Sequence, residues 1–176
     1  LRLLVPSASL RRSLPRALGL MKSAIAFLIF ALSATSAEAC PVNLTGTWES
    51  DGPTSMAFAR DRAKLEPRAE TFLAALYGHM RLTFSPGELY VVMPDIQVPV
   101  SGKSKPFAGF SEKKPYKILF CNDMTVVFSA KRSFNEEMAA TTFNFLSKDQ
   151  FWVYLGSTDA RVPDLNTREY FRRITQ

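Results

Sequence analysis

Arg168 and Tyr170 stand two residues apart in Thr167-Arg168-Glu169-Tyr170, near the end of the chain. Two residues apart on a β-strand means one face. An arginine held in a low-dielectric lumen requires an anion, and its planar fork matches a carboxylate. A tyrosine hydroxyl beside it supplies a second hydrogen bond. The pair is therefore the candidate binding centre for an acidic, otherwise apolar molecule. Trp152 and Tyr154 share one face of an upstream segment, and Phe143 and Phe145 share one face of its neighbour. These four rings are the candidate lining of an apolar pocket. Two alternatives stand beside this reading. A small barrel is equally well filled by its own side chains, and Arg168 could instead be a rim charge paired with Glu169 or Asp164.

Residues suited to catalysis are sparse. His79 is the single histidine and follows Gly78 at an expected helix end, where a cation suits the helix dipole. There is no Gly-x-Ser-x-Gly, no Cys/His cluster with metal-ligand spacing and no glycine-rich phosphate loop. Glu136-Glu137 reads as a solvated loop. The expectation is no enzyme, no metal and no cofactor.

Cys40 and Cys121 are the only cysteines. In an oxidising compartment an even count favours a disulfide between them. A buried free thiol at Cys121 and a lipidated Cys40 are the alternatives. Such a compartment is suggested by Met21–Ala39. Met21-Lys22 gives a positive start, Ser23 to Leu32 an uncharged apolar run, and Ala37-Glu38-Ala39 a small-residue cleavage pattern. The run is shorter than the roughly 20 residues of a membrane-spanning helix. An exported protein, periplasmic or extracellular, starting at Cys40 is expected. Residues 1–20 carry four arginines and no acid. They are read as an upstream segment outside the fold, with an organelle transit peptide as the alternative.

Setting residues 1–39 aside changes the charge. Five of the 22 cations and one of the 16 acids lie there, so a net +6 becomes +2. A basic nucleic-acid footprint is not supported. Lys103, Lys105, Lys113, Lys114 and Lys117 cluster in a segment rich in proline, and a solvated loop explains them. Residues 40–176 suffice for one domain with one core, and none of their apolar runs is long enough for a transmembrane helix.

The elements that must position these residues follow from period and punctuation. Leu44 to Ser50 reads as a first strand, with Leu44, Gly46 and Trp48 on one face. Asp51-Gly52-Pro53 breaks it. Two short helices follow, the first capped by Thr54 or Ser55, the second opening at Pro67 and stopping at Gly78. The period then changes. Arg81–Ser85 and Glu88–Met93 flank Pro86-Gly87 as a hairpin. Residues 94–106, with three prolines and Gly102, allow at most one short edge strand. Tyr116–Cys121 and Met124–Ala130 pair around Asn122-Asp123, and Thr141–Leu146 and Gln150–Gly156 pair around Ser147-Lys148-Asp149. Arg168–Ile174 closes the set. A chain of hairpins hides its edges by closing on itself, so the fold class is mainly β: a closed or nearly closed antiparallel up-and-down barrel with a two-helix insertion after the first strand.

Gly46-Thr47-Trp48 on a first strand, followed by an antiparallel meander, resembles the calycins, the superfamily of lipocalins and fatty-acid-binding proteins. The helix pair after that strand and the Arg168-x-Tyr170 pattern are similar to the fatty-acid-binding branch. There, two such side chains hold a ligand carboxylate inside the barrel. In lipocalins a late basic residue packs across the first-strand tryptophan, and Arg172 is the nearest match, with Arg168 next. Gly46, Trp48 and Arg172 are thus the structural set that the resemblance implies. The export pattern departs from the cytosolic fatty-acid-binding proteins. Two function classes follow. One is an exported lipocalin-like binder of a small apolar or fatty-acid-like ligand. The other is a secreted protein-binding module, such as a protease or lysozyme inhibitor, using a rim loop over 94–115.

Overall fold

The computed structural model describes residues 40–133, 137–156 and 164–175. The leader expected over 1–39 and the acid at Glu136 lie outside these residues.

The elements in chain order are β1 (Gly46–Ser50), α1 (Gly52–Arg62), α2 (Pro67–Leu76), β2 (Arg81–Ser85), β3 (Glu88–Met93), β4 (Ile96–Val100), β5 (Lys103–Phe107), β6 (Phe110–Cys121), β7 (Thr125–Lys131), β8 (Met138–Ser147), β9 (Gln150–Tyr154) and β10 (Arg168–Thr175). Eight strands form a closed antiparallel barrel in the order β1-β10-β9-β8-β7-β6-β3-β2. The first and last strands close it, with Trp48 opposite Arg173 and Ser50 opposite Phe171. The expected fold class is the one observed, with both helices directly after the first strand.

Gly46 carries a positive φ of 117°, which side-chain-bearing residues rarely adopt. The register to β10 shifts between Thr47 and Trp48, so the strand bends there and drops the indole into the core.

Parts of the reading are corrected. Residues 94–106 hold two strands, not one: β4 and β5 form a separate hairpin outside the barrel. Its turn places Ser101 and Gly102 at φ of 51° and 77°, the left-handed pair a two-residue hairpin favours. Each strand of a two-stranded ribbon has an open edge, where Pro99 and Pro106 need no ladder N–H. The second correction is β6, which begins at Phe110 rather than Tyr116. Its first half pairs with β3 and its second half with β7, and Pro115 sits at the handover. The missing N–H of Pro115 therefore falls where one ladder ends and the next begins.

The first helix is capped by Asp51, not Thr54 or Ser55. Its Oδ1 accepts from the Thr54 N–H at 3.1 Å, and Thr54 Oγ1 donates to Oδ2 at 2.9 Å. Ser55 is freed for another task. Fully buried, it accepts from the Tyr170 N–H at 2.9 Å, docking α1 on β10. Arg60 and Glu70 pair at 2.7 Å between the two helices.

The core fills the end of the barrel nearest Trp48. Phe151 stacks on Phe143 at 4.1 Å and on Phe171 at 5.2 Å, and Trp48 meets Phe151 at 4.7 Å. Cys40 and Cys121 are disulfide-bonded, with Cα atoms 5.7 Å apart and a separation of 81 positions in sequence. The bond fastens the segment before β1 to the end of β6, as expected. Among the described residues no helix is long and apolar enough to cross a membrane.

Candidate functional site

The phase of β10 decides the site. Glu169 and Phe171 line the lumen, and Arg173 lies over Trp48, so these three point inward. Arg168, Tyr170 and Arg172 therefore point outward. This overturns the proposed Arg168–Tyr170 pair. The Arg168 guanidinium lies 4.5 Å from the Phe58 ring centroid and 3.8 Å from that of Trp152, on the outer surface beside α1. Tyr170 is buried, but against Phe58 at 6.0 Å rather than in the lumen. The physical reason is α1. It covers Tyr170 on the outer face of β10, while Glu169 and Phe171 are buried on the inner face, so period 2 alone cannot tell which face is inside.

The same displacement runs through β9. Trp152 pairs with Tyr170 and Tyr154 with Arg168, so both candidate rings face outward, and the lumen receives Phe151 and Val153. Phe143 and Phe145 do point inward. Phe143 lines the cavity, whereas Phe145 packs lower, 5.8 Å from Trp48.

Arg172 is corrected as well. It is exposed and reaches Glu49 at 3.2 Å. The hydrogen bond from Arg81 lowers the Glu49 carboxyl most; burial opposes it, and the Arg172 hydrogen bond with the charges of both arginines leaves it below its ordinary value. The late arginine over the tryptophan is Arg173, 4.0 Å from the ring. It donates to the carbonyls of Thr45 and Asn43, each at 2.5 Å, and of Lys148 at 3.2 Å. Trp48 donates its indole N–H to Leu44 O at 2.8 Å. Together they seal one end of the barrel.

Above that seal the lumen is hollow. A cavity of about 390 Å³ is walled by Leu82, Leu89, Val91, Phe128, Phe143 and Phe171. The barrel is thus filled at one end and open at the other, combining the two packings considered from sequence. Lys131, Arg132 and Leu155 stand exposed at its rim. Lys114 reaches the cavity from β6, only 10% exposed, and bonds Glu112 at 2.8 Å and Ser133 at 3.0 Å. Burial pushes the Glu112 carboxyl up, but hydrogen bonds from Lys114 and Ser133 leave it below its ordinary value.

Glu169 is the buried carboxyl of the cavity wall. Its Oε1 accepts from Ser50 Oγ at 2.5 Å, and Ser50 Oγ accepts from the Gly78 N–H at 2.8 Å. Burial raises this carboxyl to about 7, moderated by the Ser50 hydrogen bond. Burial, then the nearby Glu169 charge, raises the Tyr77 hydroxyl to about 12.

Glu169 and Lys114 escaped the sequence reading for different reasons. Glu169 lay between two residues that looked more suited to a lumen. Lys114 lay in a run of charge that looked solvated, yet Phe110, Glu112, Lys114 and Tyr116 alternate with exposed residues. That alternation is the signal that extends the strand. His79 is exposed, and among the described residues no cluster of His, Cys, Asp and Glu is arranged to hold a metal.

Comparison of the chain with protein-family models, with curated proteins and with solved structures returned no match in any of the three.

Proposed function

We propose that this protein is an exported, calycin-like barrel that binds a small apolar or acidic amphipathic ligand in its lumen. The observation that carries the reading is the 390 Å³ cavity, apolar in its walls and cationic around its opening at Lys114, Lys131 and Arg132. Its volume lies within the range of small-molecule sites. An apolar body gains by leaving water for such walls. A carboxylate head stays near the cations, in place of the Arg168–Tyr170 site expected from sequence. The reading assigns no catalysis. The disulfide accords with an oxidising compartment. Titrating a long-chain fatty acid and its methyl ester against wild type and Arg132→Ala tests it. The acid should bind wild type about tenfold more tightly than the variant, as for one lost charge-assisted hydrogen bond, and the ester should not distinguish them. Absence of binding by both compounds would refute the lumen site.

A second reading, an inhibitor of a secreted hydrolase, is favoured by the β4–β5 hairpin. It stands outside the barrel and exposes Lys103, Ser104 and Lys105. The rim expected over 94–115 shrinks accordingly, since 110–115 belongs to β6. Deleting the hairpin tip should abolish inhibition and leave lumen binding intact.

A further inference from the structure

Glu169 and Lys114 line one cavity from different walls. β10 and β6 stand four strands apart in a barrel of eight, so the two side chains belong to opposite walls. Between them lie apolar side chains, Phe171, Phe143 and Phe128 among them. The Glu169 carboxyl is held in place: Oε1 is taken by Ser50, whose own hydroxyl is oriented by the Gly78 N–H. The same carboxyl lines the cavity and is 6% exposed, so bulk water reaches it poorly. Covering its cavity-facing side without a polar partner would be unfavourable. An apolar tail placed against it would do that, whereas a donor would pair with it.

We propose that Glu169 is a second polar anchor of the lumen, and that the ligand carries a hydrogen-bond donor, hydroxyl or ammonium, separated by an apolar body from its anionic group. The anionic group lies toward Lys114 and the rim cations, and the donor toward the Glu169 carboxyl. Above about pH 7, where the Glu169 carboxyl is ionised, placing the anion there instead would set two carboxylates together in a low-dielectric site. The polarity of the walls therefore orients the ligand as well as selecting it. This inference rests on the lumen reading above and adds the chemical class of ligand.

The test is a titration of straight-chain fatty acids, from hexanoic to hexadecanoic, and of their ω-hydroxy and ω-amino derivatives. Wild type should prefer, at one matching length, a derivative over the plain acid by about tenfold. Glu169→Leu should abolish that preference or reverse it. Glu169→Gln keeps an acceptor for Ser50 and for a hydroxyl but removes the charge. It should retain the hydroxyl preference and lose the ammonium preference, which also separates the two donors. Circular dichroism and thermal melting of both variants ensure that folded protein is compared. Preference for the plain acids at every length would overturn the anchor while leaving the lumen site standing, as would an unchanged preference in Glu169→Leu. Failure of every acid to bind would overturn both.

Discussion

The Arg173 guanidinium lies over Trp48, 4.0 Å from the ring centroid, while its nitrogens donate to the carbonyls of Asn43 and Thr45. One side chain thereby joins the last strand, the first strand and the segment before it. Asp149, 3.3 Å away, adds a charge partner. Burial lowers the guanidinium pKa, and Asp149 offsets part of that shift.

Trp48→Ala removes a side chain that is fully buried. Unfolding by urea should show a loss of roughly 3–5 kcal/mol. Arg173→Met keeps the stem but loses the guanidinium and its charge-assisted hydrogen bonds to the Asn43 and Thr45 carbonyls. It should lose about 1–3 kcal/mol. Because the two residues touch, a double-mutant cycle should show coupling of about 0.5–3 kcal/mol. Strict additivity would contradict the seal.

The Cys40–Cys121 bond closes a long loop in the unfolded chain. Replacing both cysteines by serine should lower stability by roughly 2–4 kcal/mol. Non-reducing peptide mapping should recover the linked pair from untreated protein; free thiols at both positions would contradict it.

Arg168→Ala should leave fatty-acid affinity unchanged, because the side chain lies outside the barrel between Phe58 and Trp152. It should instead reduce stability by about 0.5–2 kcal/mol, the range of a cation–π contact. A selective loss of acid binding would restore the inward reading of β10.

Glu169 gives a pH dependence of defined sign. Its carboxyl is raised from 4.5 to about 7 in the folded state. The folded protein thus holds a proton that the unfolded chain releases. The stability this provides is complete below pH 4.5 and is lost as pH rises toward about 7. Relative to Glu169→Gln, wild type should lose roughly 3 kcal/mol across that interval. Parallel stability curves for the two proteins would contradict a raised carboxyl.

What was legible in the sequence was local. Pro86-Gly87 marked the β2–β3 hairpin, and both of its strands have the expected limits. Pro67 opens α2, as the fixed φ of proline suggests. Phase was not legible where tertiary contacts cover both faces of a strand. Phe151-Trp152-Val153-Tyr154 is apolar throughout, and only its register against Phe171 settles which side is inside. The docking of α1 on Tyr170 is likewise a long-range event that no window of β10 reveals. The polar wall of the lumen escaped for the opposite reason. Strand β6 carries Glu112 and Lys114 inward, where sequence logic expects apolar residues.

The central claim is that the lumen is a binding site. Ala139 lines the cavity from β8 and is only partly buried, so Ala139→Trp should plug the opening without disturbing the Trp48 core. Isothermal titration of the tightest-binding acid against wild type and Ala139→Trp is the direct test, once melting curves show both to be folded. The account predicts saturable one-to-one binding to wild type and none to the plugged barrel. Equal affinity for the two proteins would place the ligand elsewhere and contradict it.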